Sequence, residues 1–196
     1  MNHAGVPLST ADNKSEREKM LAGELYRSTD AELRALLAAA QDMIRRVNAI
    51  PNEDLTGRAV LLRHLLGAIG EGTQVRSPFW CDYGWNIQLG RNGFVNYDCV
   101  FLDCREITIG DDAQIGPGVH IYTAWHPVEP EARRSGLEAA SPVRVGNNVW
   151  LGGGCILGPG VSVGDNSVIG AGSVVVKDVP ANCVAVGNPC RVIRQL

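Results

Sequence analysis

The amino-acid sequence predicts a mainly β protein: a parallel β-helix of stacked six-residue repeats, with a short helical unit before it and one long loop leaving it. Three observations predict this fold. An aliphatic residue recurs every six positions in the second half of the chain, and a glycine follows most of these residues. The amino-terminal third instead shows apolar spacings of three and four, which are typical of helices. One domain with a small appendage fits the 196 residues.

The composition excludes several classes of partner and location. Lys plus Arg number 18 and Asp plus Glu number 21, so no positive surplus exists to bind nucleic acid. The longest apolar runs, such as 35–40, are too short to cross a membrane. The amino terminus shows no apolar stretch of a secretory signal, and we expect a cytoplasmic protein. No cysteine belongs to a C-x-x-C pair, so we expect all six to be buried free thiols.

The amino-terminal region is predicted to contain three helices after a mobile tail at 1–14. The first two helices begin at the capping boxes Ser15-x-x-Glu18 and Thr29-x-x-Glu32. A third helix is predicted over 53–68, with Gly70 as its stop. The second helix has one apolar face, formed by Leu33, Leu36, Leu37, Ala40, Ile44 and Val47. Residues 15–70 have too little core to stand alone, and we expect this helical unit to pack on the β-helix.

The repeats themselves are predicted to occupy residues 73–179. The aliphatic positions are Ile109, Ile115, Ile121, Val145, Leu151, Leu157, Val163, Ile169 and Val175. A short strand turns one aliphatic residue inward, and a glycine turns the chain at the corner. Three such sides close a triangular coil of about eighteen residues, and coils stack about 4.8 Å apart. Small or branched residues two positions before each aliphatic residue complete the pattern.

The repeat is interrupted once, by residues 123–142, before a carboxy-terminal segment at 180–196. The interruption is charged, contains proline and does not keep the six-residue chemistry. A loop of this length in a compact domain is usually functional.

Five motifs stand in order along the chain: Lys19–Tyr26 (KMLAGELY), Cys81–Asn86 (CDYGWN), Tyr122–Val128 (YTAWHPV), Gly146–Trp150 (GNNVW) and Gly187–Ile193 (GNPCRVI). Together they resemble the maltose O-acetyltransferase and galactoside O-acetyltransferase family, nearer the maltose type, from about residue 16 to the carboxy terminus. The resemblance implies a left-handed coil, which is an exception to the usual right-handed crossover. It also implies a homotrimer with active sites between subunits. Acetyl-CoA is implied as a co-substrate, without a tightly bound cofactor, and a maltose- or glucose-like sugar as the acceptor.

Apolar residues on the outer faces of the coil agree with a trimer. Val149, Trp150 and Ile156 are expected there, and a monomer would leave them in contact with water.

The resemblance places the catalytic base at His126, the histidine of the T-x-x-H-P segment. An imidazole with a pKa near 6.5 can take a proton from an alcohol at neutral pH and return it. Asn96 matches a family asparagine at the junction of the two substrates, where an amide can orient the hydroxyl or the imidazole. His120 lies six residues before His126, a spacing that suggests a metal pair. Zinc chemistry of this fold needs three histidines and the coil supplies two, so no metal is expected.

The remaining site residues also come from the resemblance. Asp82 and Tyr83 match the acceptor pocket, Asp103 is a further candidate there, and Glu138 at the far end of the loop is either a sugar contact or a solvated charge. The second member of the family's acidic pair is Cys104 here. Gly153 offers a backbone N–H near the thioester, where an oxyanion would develop. The residues implied to contact acetyl-CoA are Trp150, Gly153, Ala171, Val176, Lys177, Arg191 and Arg194.

Two other functions stay open at this point. One is an acetyltransferase of the same fold acting on an antibiotic, a nodulation-type oligosaccharide or an amino acid. The other is a non-catalytic β-helix subunit that serves as a scaffold.

Overall fold

The computed structural model describes residues 14–196, so the predicted mobile tail lies outside the described residues except for Lys14. Four helices are present among them: α1 (Glu16–Ala22), α2 (Ala31–Ala49), α3 (Leu55–Leu65) and α4 (Pro130–Arg134). Within residues 14–196, no helix combines the length and the apolar character needed to cross a membrane.

The helix starts agree with the sequence at α1 and differ at α2. The capping box of α1 is confirmed, because Ser15 accepts from the Glu18 N–H and the Glu18 side chain accepts from the Ser15 N–H. The predicted box at Thr29 is wrong. Asp30 is the N-cap of α2, and its Oδ1 accepts from the N–H groups of Glu32 and Leu33, at 2.9 and 3.3 Å. The Asp30 carboxylate, one residue after Thr29, reaches two unpaired N–H groups of the first turn, so the helix begins directly after Asp30.

The third helix is shorter than the 53–68 predicted. It ends at Leu65, because the chain is already in the first strand of the coil at Ala68–Ile69, where it pairs with Gln88–Leu89. The coil therefore starts five residues before the predicted position 73.

Nineteen short strands form the β structure of the described residues. They are β1 (Ala68–Ile69), β2 (Gln74–Val75), β3 (Phe79–Cys81), β4 (Ile87–Leu89), β5 (Phe94–Val95), β6 (Cys99–Leu102), β7 (Ile107–Ile109), β8 (Gln114–Ile115), β9 (His120–Tyr122), β10 (Ala124–Trp125), β11 (Ala139–Ala140), β12 (Val143–Val145), β13 (Trp150–Leu151), β14 (Ile156–Leu157), β15 (Ser162–Val163), β16 (Val168–Ile169), β17 (Val174–Val175), β18 (Cys183–Val186) and β19 (Arg191–Gln195).

These strands build a left-handed parallel β-helix of about six turns with three faces. Face 1 contains β1, β4, β7, β12 and β15; face 2 contains β2, β5, β8, β13, β16 and β18; face 3 contains β3, β6, β9, β14 and β17. Neighbouring strands within a face are parallel, and the carboxy-terminal β19 adds to face 2 by antiparallel pairing with β18. The remaining pair, β10 and β11, lies in the long loop.

The interior of the coil is the core that the repeat predicts. All nine aliphatic positions of the repeat are buried, as are the residues two positions before them. Val149 belongs to this second set and is buried, so the expectation that it lies on an outer face is wrong; its neighbour Trp150 points outward. The six cysteines are free and buried, as predicted.

The glycines after the aliphatic positions serve close stacking of coils. None of Gly110, Gly116 or Gly152 has a positive φ. The turning role that we expected belongs to other glycines, because Gly118, Gly154 and Gly172 have φ values of 64°, 70° and 69° at the corner from face 2 to face 3. A Cβ on Gly152 would lie 2.5 Å from the Ala171 backbone nitrogen one coil away, so only glycine fits. At the corner from face 1 to face 2, the left-handed backbone conformation is adopted by asparagine and aspartate residues, which tolerate it. They are Asn92, Asp112, Asn148, Asn166 and Asn182.

The helical unit packs on the amino-terminal end of the coil. Asn48 on α2 exchanges two 3.0 Å hydrogen bonds with the backbone of Phe79, and Gln41 donates to the Cys81 carbonyl at 2.8 Å. Apolar residues of α2 and α3 join the core of the coil. The unit thereby fixes the strand that leads into Asp82.

Candidate active site

The long loop is a hairpin that returns to the corner it leaves. Its strands β10 and β11 pair antiparallel, and the short helix α4 lies between them. The start of the loop is held in place by Thr123, which is fully buried. The Thr123 hydroxyl donates to the Leu102 carbonyl at 2.7 Å, and the Thr123 carbonyl accepts from the Ser141 N–H at 2.8 Å. The loop therefore projects from the corner between face 3 and face 1 in a defined direction.

His126 directly follows β10 and presents an accessible imidazole. Its side chain is 57% exposed, and its Nε2 lies 3.8 Å from Oε2 of Glu138, whose side chain is 15% exposed. The hairpin brings these two residues together, because Glu138 immediately precedes β11. A solvent-facing base backed by a largely buried carboxylate can accept a proton and hold the resulting imidazolium.

Glu138 is itself held by Tyr26, for which the sequence alone indicates no function. The Tyr26 hydroxyl donates to Glu138 Oε1 at 2.5 Å. The two backbones also pair, with N–H to carbonyl distances of 2.9 and 3.1 Å. Tyr26 is the last residue of the first motif that resembles the family, and this position is the sequence feature that could have indicated a function for it. Glu138 is therefore a partner of His126 and Tyr26, and the view of it as a solvated charge is wrong.

Asp82 and Cys104 lie beside this group. The Cys104 thiol donates to Asp82 Oδ2 at 3.5 Å, and Cys104 belongs to the same buried cluster as Tyr26. Burial raises the pKa of Asp82, the thiol lowers it, and the charge of Glu138 raises it again. Tyr83 is buried nearby, and burial raises the pKa of its hydroxyl. The structure thus joins Asp82 and Tyr83 to the His126 corner.

Asp103 does not open onto this site. Its carboxylate is fully buried and accepts from the backbone N–H groups of Asp82 at 3.0 Å, Tyr83 at 2.8 Å and Asn86 at 3.3 Å. Burial raises the pKa of Asp103 to about 7. The acceptor contact we expected is not available to a carboxylate already occupied by three donors, so Asp103 instead shapes the loop that carries Asp82.

Asn96 lies at a different corner from His126. It follows β5, at the turn from face 2 to face 3, and its N–H donates to the Ile115 carbonyl at 3.0 Å. Gly153 and Ala171 follow β13 and β16 at the same corner, on later coils. Face 3 lies between this corner and the His126 loop. One chain therefore does not bring Asn96 or Gly153 to the imidazole.

The other residues expected to contact acetyl-CoA are also spread over the surface. Trp150 is exposed on the outside of face 2, and Arg191 and Arg194 are exposed on β19. Val176 and Lys177 are exposed after β17, on the same edge of face 3 as the His126 loop. These residues form no single pocket within one chain.

The outer side of face 3, between the two corners, is largely apolar. Trp80 is exposed there, and Val100, Ile156 and Val174 are half-buried. His120 lies on the same side and contacts the Tyr122 hydroxyl through Nδ1 at 2.5 Å. Among residues 14–196, no three side chains of His, Cys, Asp or Glu are grouped so that they could hold a metal ion.

Two family models match the chain. The maltose acetyltransferase hexapeptide capping motif matches residues 19–70, which span the helical unit. Six bacterial transferase hexapeptide repeats match residues 142–177, within the coil.

Known proteins are similar over nearly the whole chain. Nodulation protein L of Rhizobium meliloti (strain 1021) is 48% identical over 179 residues, which cover 91% of this chain and 98% of that protein. A maltose O-acetyltransferase from Clostridium difficile 630 has a crystal structure with a TM-score of 0.92, at 48% identity, covering 94% of this chain and 99% of the other. A hexapeptide-repeat acetyltransferase from Vibrio cholerae O1 biovar eltor, complexed with acetyl coenzyme A, gives 0.86 at 37% identity, covering 93% and 99%.

Proposed function

This chain belongs to the maltose acetyltransferase family of hexapeptide-repeat transferases, and we propose that it moves an acetyl group from acetyl-CoA to a hydroxyl of a maltose- or glucose-like sugar. That it is an acetyltransferase follows from its family, which favours an enzyme over a purely scaffolding subunit. The acceptor, the base and the arrangement of subunits are the parts that we propose.

The observation that carries the proposal is the pair formed by His126 and Glu138. With Nε2 nearest the carboxylate, Nδ1 takes the proton of the sugar hydroxyl, and the oxygen attacks the thioester carbonyl carbon. The tetrahedral intermediate then expels the thiolate of CoA, which receives the proton from the imidazolium. Glu138 stabilises that imidazolium while it exists. Every proton and electron pair is accounted for without a metal or a further cofactor.

We place the complete site between neighbouring copies in a homotrimer. Asn96 and Gly153 of one copy would face the His126 loop of the next, with the amide orienting the hydroxyl and the Gly153 N–H facing the developing oxyanion. The apolar outer side of face 3 supports this arrangement, since a monomer would leave it in water.

The acetyl-CoA molecule would then extend along the coils. Trp150 would provide an apolar wall for the pantetheine arm, with Ala171 and Val176 along its path. The cationic side chains Lys177, Arg191 and Arg194 would pair with its phosphates, and their exposure leaves them accessible to do so. The relative in complex with acetyl coenzyme A supports the choice of co-substrate.

A sugar acceptor is supported by the carboxylate of Asp82 beside the His126 corner. Carboxylates accept hydrogen bonds from vicinal hydroxyls, and several such bonds orient a pyranose. We also propose that the reaction takes place in the cytoplasm, where the six buried thiols stay reduced.

The test compares the purified protein with its His126→Ala variant, by thiol release from acetyl-CoA. The acceptor panel contains maltose, glucose, a chitin-type oligosaccharide, an aminoglycoside and an amino acid. We expect turnover with the sugars, and a kcat about 100- to 10,000-fold lower in the variant. His64→Ala is the matched control, because His64 is an exposed imidazole on α3. If the variant keeps more than a third of the wild-type kcat, His126 is not the base. If only the chitin-type oligosaccharide, the aminoglycoside or the amino acid is acetylated, the maltose- or glucose-like acceptor is wrong.

A further inference from the structure

Tyr26 is a buried aromatic residue that connects the helical unit to the long loop. It lies between α1 and α2, is fully buried, and is 112 positions away from Glu138 in sequence. Three hydrogen bonds join the two residues: a pair between their backbones, and the 2.5 Å bond from the Tyr26 hydroxyl to Glu138 Oε1. No other residue of the helical unit makes so many hydrogen bonds to the loop among the described residues.

The cluster around Tyr26 contains two carboxylates and two neutral donors. Glu138 and Asp82 are close enough for the charge of one to raise the pKa of the other. A carboxylate only accepts hydrogen bonds, so each needs a neighbouring group that donates one. The Cys104 thiol donates a hydrogen bond to Asp82, and the Tyr26 hydroxyl donates its single hydrogen bond to Glu138. Burial keeps this hydroxyl protonated, because it raises the pKa of Tyr26.

The two oxygens of Glu138 therefore have separate partners. Oε1 is occupied by Tyr26, and Oε2 is directed to His126 Nε2. A glutamate side chain has three rotatable bonds, and the hydroxyl removes most of that freedom before substrate arrives. Without it, the carboxylate would lose its buried donor and would be free to turn away from the imidazole.

We propose that Tyr26 is a positioning residue for catalysis, whose hydroxyl orients Glu138 toward His126, so that the helical unit takes part in the reaction as well as capping the coil. This inference rests on the proposed function of His126. It assigns Tyr26 no contact with either substrate. Its effect on the reaction passes through Glu138.

The test removes only the hydroxyl, in Tyr26→Phe. We expect kcat to fall about tenfold, the worth of a hydrogen bond to a charged group, with the KM for acetyl-CoA within twofold of wild type. Ser167→Ala is the matched control, because it removes a buried hydroxyl bonded to the Pro180 carbonyl, far from the loop. The control should lose stability without losing kcat.

A double-mutant cycle separates positioning from mere structure. In a Glu138→Gln background, Tyr26→Phe should change kcat less than twofold, because the group through which it acts is already altered. A structural role would instead give the same fold-change in both backgrounds, and that result would overturn the inference. Replacing Tyr26 with 4-aminophenylalanine, which restores a donor, should recover most of the lost kcat and also covers the case in which Tyr26→Phe folds poorly.

The failure of the positioning role can be distinguished from the failure of the proposed base. If His126→Ala is inactive and Tyr26→Phe has wild-type kcat, the positioning role is wrong and the proposed base stands. If His126→Ala keeps its activity, the proposed base is wrong, and the positioning role of Tyr26 fails with it whatever Tyr26→Phe does.

Discussion

The substitution Glu138→Gln measures how much the carboxylate contributes to the reaction. It keeps the size of the side chain and removes its charge. The charge acts on the imidazolium that forms when His126 takes the hydroxyl proton. At the observed 3.8 Å, two unit charges attract by about 1 kcal/mol in water and by about 4 kcal/mol at an effective dielectric constant of 20.

The exposure of the pair decides between these limits. His126 is 57% exposed, so water screens the attraction strongly, whereas Glu138 is 15% exposed and is screened less. We therefore expect a loss of about 1–2 kcal/mol in transition-state stabilisation, which is a fall of about 5- to 30-fold in kcat. The KM for acetyl-CoA should change little, because the charge acts on a species that exists only after proton transfer.

The assay is steady-state thiol release with both substrates varied at fixed ionic strength. Glu131→Gln is the control, since Glu131 belongs to α4 in the same loop, pairs with Arg134 at 2.8 Å and is 85% exposed. It should leave kcat unchanged. If Glu138→Gln keeps at least half of the wild-type kcat, the carboxylate does not support the base and the assigned pair is wrong.

Three further predictions address the acceptor, the subunits and the buried acid. Asp82→Asn should raise the KM for the sugar about ten- to a hundredfold, because a buried hydrogen-bond acceptor is lost, and should change the KM for acetyl-CoA less. A raised KM for acetyl-CoA with an unchanged KM for the sugar would mean that Asp82 does not belong to the sugar pocket. Mixing equal amounts of inactive His126→Ala and Asn96→Ala subunits should restore about a quarter of the sites, because that share of the interfaces in a closed ring receives both intact residues. No recovery after subunit exchange would mean that one chain supplies both residues. Burial raises the pKa of Asp103 to about 7, so its contribution to folding is greatest below about pH 4 and is lost as pH rises through 7. The free energy of unfolding in urea should therefore fall more between pH 5 and pH 8 for wild type than for Asp103→Asn. Equal decreases would contradict the raised pKa of Asp103.

Parts of the site can be predicted from motifs, and parts cannot. His126 and Asp82 can be proposed as site residues because each lies in a segment that resembles a family motif. Tyr26 lies in such a segment too, yet the function that we propose for it depends on a contact with Glu138 across 112 positions, which no local pattern encodes. An acidic residue at position 103 suggests a sugar contact, and only the burial of Asp103 shows otherwise.

The fold was determined by the sequence alone to a large extent, because a β-helix repeats one local rule. Each six-residue unit contributes one strand, one buried aliphatic residue and one corner, so the period in the sequence is the period in space. Features that depend on local sequence, such as the capping box at Ser15, are predicted as well. The cap at Asp30 shows the limit of this reasoning, since two adjacent residues could both have capped the helix and the backbone geometry chose one.

Only the tertiary structure decided which functional side chains meet. The loop folds back as a hairpin, which brings Glu138 to His126, and the helical unit packs so that Tyr26 reaches the same carboxylate. The coil also places Asn96 on the opposite edge of face 3 from His126. The repeat fixes the spacing of backbones but not the pairing of side chains from separate segments. That pairing depends on how the loop and the helices pack, and the contacts that direct their packing are distant in sequence.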